Sequence, residues 1–110
     1  MFYHFNQNNS GGSFHFNENR GITHHVVIEA DNASEANAIA EGIGIYFDGV
    51  GDCSCCGNRW HSVYEYDKKD FPHVYGEEIE KAFNTSHLSR WMEDGKEVCV
   101  HYKDGHKEWF

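Results

Sequence analysis

Basic residues are scarce in this chain of 110 residues: nine Lys and Arg stand against eighteen Asp and Glu, a formal charge of −9 with histidine neutral. A field of that sign repels phosphate backbones at long range, which argues against direct binding of nucleic acid or an anionic membrane. Proline is nearly missing as well. Pro72 stands alone, which speaks against a disordered linker and for one compact domain over residues 1–110. No apolar stretch approaches the roughly 20 residues that a membrane-spanning helix needs. Met1-Phe2-Tyr3-His4-Phe5-Asn6 has neither the basic start nor the apolar core of a secretory signal, so a cytoplasmic protein is expected. The familiar catalytic strings are missing too. There is no H-E-x-x-H, no H-x-E with a downstream P-C-x-x-C, no G-x-x-x-x-G-K-[ST] and no G-x-G-x-x-G. A non-enzymatic role, with no catalytic residues to assign, is the expectation.

What is present suffices for a core: 39% of residues are apolar and 15% aromatic. Charge is unevenly distributed. Residues 1–50 carry Arg20 against Glu18, Glu29, Asp31, Glu35, Glu41 and Asp48, while every Lys lies beyond Asp67 among further acids. Met1 to Asn6 alternates aromatic and polar side chains, and Ser13 to Asn17 alternates again around Phe14 and Phe16. The intervening Gln7 to Gly12 is rich in turn formers, so the pair reads as a hairpin. Thr23 to Ala30, with Val26, Val27 and Ile28, reads as the central strand. Asn32 to Ile43 is the clearest helix. Asn32 stands at its N-cap with Glu35 in capping-box spacing, an apolar stripe runs through Ala33, Ala36, Ile39, Ala40 and Ile43, and Gly42 and Gly44 end it.

Ile45 to Phe47 and Trp60 to Tyr66 read as strands, Glu77 to Phe83 as a short helix and His87 to Glu93 as a second helical stretch. Glu97 to Tyr102 and His106 to Phe110 read as strands joined at Asp104-Gly105. The fold class expected is α+β: a mainly antiparallel sheet of five to seven strands, one main helix packed on a face and a short C-terminal helical segment.

Three of the four cysteines fall in Asp52-Cys53-Ser54-Cys55-Cys56-Gly57-Asn58-Arg59-Trp60. Cys53 and Cys56 have the C-x-x-C-G spacing of a zinc knuckle, in which a tight turn lets two thiolates reach one ion. Cys99 and His101, which alternate onto one face of the C-terminal strand, are the first candidates to complete a structural zinc site, with His61 a further one. Buried free thiols and a redox role are the competing readings, because cytosolic thiols are mostly reduced and free Cys packs as a small hydrophobe.

Nine histidines is a high count. The pair His24-His25 entering a strand points to opposite faces, and His4 and His15 are expected to face each other across the first hairpin. Asn8-Asn9-Ser10 before two glycines supplies neutral donors and backbone amides that suit an anion, a ribose or a base edge; a plain hairpin loop is the competing reading. Arg59 beside Trp60 pairs a guanidinium with an indole, a combination that recognises phosphate and a stacked base. Core packing of Trp60 and an Arg59–Asp52 pair explain the same residues.

The strings Asn8-Asn9-Ser10-Gly11-Gly12-Ser13-Phe14, Glu29-Ala30 leading into Ser34-Glu35-Ala36-Asn37, Gly44-Ile45-Tyr46-Phe47-Asp48-Gly49-Val50 and Cys53-x-Cys55-Cys56-Gly57-x-Arg59-Trp60 resemble a family of small, uncharacterised bacteriophage proteins. The last string is its most specific element, and Ser54 stands where that family usually has proline. The resemblance implies a phage accessory protein in the cytoplasm of an infected bacterial host, and it carries no catalytic residues.

Two functions follow as expectations. In the first, an oligomer of identical chains sequesters a nucleotide-derived immune signal, with Asn8, Asn9, Ser10, Arg59 and Trp60 as ligand contacts and Tyr3 and Tyr46 as stacking surfaces. In the second, the acidic surface of Glu35, Glu41, Glu77, Glu78 and Glu80 covers a basic nucleic-acid or catalytic groove on a host defence enzyme such as a CRISPR effector.

Overall fold

The computed structural model describes residues 1–7, 18–47, 60–84 and 98–110. Its main sheet joins strands β1 (Phe2–Asn6), β2 (His25–Glu29), β5 (Val98–His101) and β6 (Lys107–Trp109) in the order β1-β2-β5-β6. β1 runs antiparallel to β2, and β5 antiparallel to β6, but β2 and β5 are parallel. The two central strands are buried on both faces, as the near-continuous runs Val26-Val27-Ile28 and Val98-Cys99-Val100 require. A second sheet is a two-residue ladder of β3 (His73–Val74) and β4 (Glu77–Glu78).

Helix α1 (Ala33–Ile43) forms because its apolar side chains recur at helical spacing and both ends are closed. Asn32 accepts the Glu35 amide through its side chain at 2.8 Å, and Glu35 reaches back to the Asp31 amide at 3.2 Å. That is a capping box shifted by one residue on its return arm. Gly44, at φ 115°, stops the helix in the left-handed region and donates to the carbonyls of Ala40 and Glu41, so Gly42 stays inside the helix. The helix lays Ala33, Ala36 and Ala40 on the sheet face that carries Tyr3, Phe5, Val26 and Ile28. The opposite face buries Val27, Val98 and Val100 against Val74 and Ile79, the latter opening the short helix α2 (Ile79–Asn84).

The mixed α+β class, the antiparallel bias and the single main helix agree with the sequence reading. Strand number does not: among the described residues the main sheet has four strands and the small one two. Ile45 to Phe47 and Trp60 to Tyr66 are not strands. They are irregular segments that plug the α1 side of the core with Ile45, Trp60 and Val63, and Glu65–Asp67 closes as a 3-10 turn. Alternation there reflects one buried edge of a loop rather than a pleat. Glu77–Glu78 belongs to β4, so α2 starts two residues later than periodicity suggests. The expected strand Ser13 to Asn17 and the helical stretch His87 to Glu93 lie outside the described residues.

Candidate functional site

β1 is an edge strand, and a loop covers its outer side. Phe2 donates to the Lys69 carbonyl at 2.8 Å and accepts from the Lys69 amide at 3.1 Å. This bridge sets residues 61–76 beside β1 and encloses a cleft of about 440 Å³. Its walls include His4 and Asn6 from β1, Tyr66 and Lys69 from the loop, and His73 and Tyr75 from the small hairpin. Tyr66 and Tyr75 stand 81% and 55% exposed, so large flat rings face solvent around the cleft. Tyr66 also stacks on Tyr64, with ring centroids 5.5 Å apart and planes within 5°.

Imidazoles crowd together behind these rings. His4 and His25 are diagonal neighbours on one face of the β1–β2 pair, and the register that places His4 opposite Val27 lets their rings meet. His4 Nε2 lies 2.8 Å from His25 Nδ1, while His4 Nδ1 accepts the Tyr75 amide at 3.3 Å. Accepting at Nδ1 leaves the proton of a neutral His4 on Nε2, from which it is donated to His25. The His25 proton is then on its own Nε2, a buried atom with no hydrogen-bond partner among the described residues.

His73 repeats the pattern. Its Nδ1 accepts the Gly76 amide at 3.1 Å and its Nε2 donates to the Phe2 carbonyl at 3.2 Å. The bonds of these three side chains therefore run to one another and to backbone groups.

Burial keeps the cluster uncharged. Desolvation, with His73 and His24 adding to it, lowers His4 to about 3. Desolvation, with His4 and His24 adding to it, lowers His25 to about 2. Burial alone lowers His24 to about 4, and His73 is lowered by burial against the opposing effect of its bond to the Phe2 carbonyl. The expectation that His24 and His25 point apart is corrected: their rings stack at 4.0 Å. β2 begins at His25, so His24 precedes the pleat and is not bound by its alternation. His15, the expected partner of His4, lies outside the described residues.

The side chains singled out from sequence are placed elsewhere or not described. Asn8, Asn9, Ser10, Arg59, Cys53 and Cys56 lie outside the described residues. Tyr3 and Trp60 are 0% and 1% exposed in the core under α1, and Tyr46 packs against that same core. Neither buried ring presents a surface to a ligand. Cys99 and His101 do share a sheet face, but Cys99 is a buried free thiol that desolvation pushes up to about 12. His101 Nε2 is engaged with the Gly21 carbonyl at 2.9 Å. Among the described residues no three potential ligands gather into a metal-binding group.

Sequence reasoning missed Tyr66, Lys69, His73 and Tyr75. Their one local signal is Tyr75-Gly76, a two-residue turn in which Tyr75 takes φ 53° and Gly76 φ 85°. Tyr is not a residue that announces a left-handed turn, so the hairpin is invisible to composition rules.

The family model described as a domain of unknown function (DUF7296) matches residues 1–110. No curated protein and no solved structure matches the chain. No helix among the described residues is long and apolar enough to cross a membrane.

Proposed function

We propose, for a chain that belongs to the DUF7296 family over its whole length, a non-enzymatic binding function in which the cleft beside β1 takes a nucleotide-type small molecule. One observation carries this reading. Exposed Tyr66 and Tyr75 flank an opening whose inner wall is neutral imidazole and amide, with Lys69 supplying a cation beside the Asp67 carboxylate. A base stacked on an aromatic ring gains about 1–3 kcal/mol whatever its identity, and Lys69 suits a phosphate that the overall charge of −9 would otherwise repel.

Catalysis is poorly served by the same groups. A general base works best with a pKa near the operating pH, whereas His4 is lowered to about 3 and its nitrogens are committed to Tyr75 and His25. In this reading the chain is a bacteriophage product in the cytoplasm of the infected bacterium, and it silences a defence by holding a nucleotide-derived signal.

The test is ligand-dependent thermal stabilisation across linear and cyclic nucleotides, followed by mass spectrometry of what denaturation returns. Ligand at a hundredfold excess over Kd should add about 2.7 kcal/mol and come back intact. Lys69→Ala and Tyr66→Ala should each weaken binding about tenfold or more at little cost to the apo fold, both side chains being exposed. Turnover of the ligand would refute the binding reading. Indifference to every nucleotide, with salt-sensitive capture of a host protein, would favour the protein-directed inhibitor.

A further inference from the structure

The turn Tyr75-Gly76 is held in an unusual way. Both of its residues lie in the left-handed region, which is sterically unfavourable for a side-chain-bearing residue such as Tyr75. Both of its amides are accepted by imidazole nitrogens rather than by carbonyls: Tyr75 by His4 Nδ1 and Gly76 by His73 Nδ1. We propose that His4 and His73 form an acid-sensitive clasp on this turn, so that protonation of their Nδ1 atoms releases the β3–β4 hairpin and opens the cleft. The use of the device rests on the binding reading above; the device itself does not.

The chemistry is local. A carbonyl accepts at any accessible pH, but an imidazole that gains a proton at Nδ1 turns from acceptor to donor and faces the amide N–H it previously held. His4 and His73 also stand 6.0 Å apart between ring centroids, so charging one opposes charging the other. The surroundings sharpen the effect. His4 is faced by His25 of β2, by His24 just before that strand and by the Tyr75 ring, none of them anionic near neutral pH. Lys69 opposes a charge on His73 and Asp67 favours it. From β4, Glu78 is the register partner of His73 and is itself 4.0 Å from Lys81 of α2, with Glu77 opposite Val74. His61 and Tyr66 complete the titratable lining of the cleft.

Release moves Tyr75, whose ring leans edge-on against His4 at 4.8 Å and His25 at 5.7 Å, away from the inner wall. Phe2 keeps its two bonds to Lys69, so the loop side of the cleft stays in place while the hairpin side lifts. A ligand held between Tyr66 and Tyr75 would therefore be let go on acidification.

The experiment is amide hydrogen exchange of the full, ligand-free chain, read by NMR as pH falls from about 7.5 towards about 4.5, with ring nitrogen shifts of His4 and His73 followed in parallel. Protection of Tyr75 and Gly76, corrected for intrinsic rates, should fall together by about tenfold per pH unit below the ordinary imidazole value of 6.5, where the opened turn takes up protons that the closed one refuses, while the sheet amides of Phe5 and Val27 stay the better protected. His73→Gln keeps an uncharged acceptor and should uncouple the Gly76 amide from pH. Protection of Tyr75 and Gly76 that does not fall over that range, or that is lost at Tyr75, Gly76, Phe5 and Val27 in one step, overturns the clasp. Because no ligand is present, that failure is distinct from a failure to bind nucleotides.

Discussion

Glu65 shows how one exposed side chain ties distant segments. Its Oε1 accepts the Ala33 amide at 2.6 Å, one of the orphan donors in the first turn of α1, and its Oε2 accepts the Tyr3 hydroxyl at 3.3 Å. A carboxylate at that end of a helix also meets the positive end of the helix dipole. Glu65→Ala should therefore destabilise the chain by about 1–2 kcal/mol, well above the usual cost of a surface substitution. Glu65→Gln, which keeps the acceptor oxygen but not the charge, should lose less. Chemical denaturation of both variants measures this, and a Glu65→Ala chain as stable as the parent would contradict it. Nothing near Glu65 in sequence announces the contact, because Ala33 and Tyr3 are 32 and 62 positions away. The site was illegible for the same reason: His4, His25, His73 and Tyr75 meet only through strand register and the Phe2–Lys69 bridge.

Elements specified by neighbouring residues were legible. α1 carries its stripe, its N-cap and its terminating glycine within thirteen residues, Asn32 to Gly44, and each agrees with the structure. Replacing the Asn32 side chain by that of alanine should cost about 1 kcal/mol of global stability by leaving the Glu35 amide without its acceptor. A denaturation midpoint unmoved by Asn32→Ala would mean that Glu65 alone suffices at that helix end. Elements specified by remote partners were misjudged. Ile45-Tyr46-Phe47 has the composition of a strand but no ladder neighbour among the described residues, where central β2 is already paired on both edges by β1 and β5. The parallel β2–β5 contact itself leaves a trace only in the two-sided burial of both strands, which the apolar runs at Val26 and Val98 do signal.

Nine histidines in 110 residues give the chain many groups that can titrate on acidification, and the direction of the expected response follows from which imidazoles are buried. His4, His24, His25 and His73 all sit below the ordinary value of 6.5 in the folded chain. Below pH 6.5 the unfolded chain binds protons that the folded chain refuses, so stability is full above that value and drains as pH falls towards the folded pKa values. An isolated group loses about 1.4 kcal/mol per pH unit in that window. Coupling among rings in contact makes the sum smaller than four independent groups.

Other shifts act on the same curve, and His101, lowered by burial against the opposing effect of its bond to the Gly21 carbonyl, adds to the loss below 6.5. His106 is raised by its bond to Asp104 and so favours the folded state below 6.5, but it is exposed on the β5–β6 turn and counts for little. The lowered carboxyls of Asp31 and Asp104 withdraw their support only near and below 3.8. Between about pH 6.5 and about pH 5 the buried imidazoles thus act nearly alone, and Tm should fall steadily across that interval. His106→Gln should follow the same curve, whereas a variant with uncharged groups at positions 4 and 25 should flatten it. A Tm independent of pH over that range would show that the cluster does not stay neutral when folded, and with it would go the reason for reading His4 and His73 as a clasp rather than as surface imidazoles.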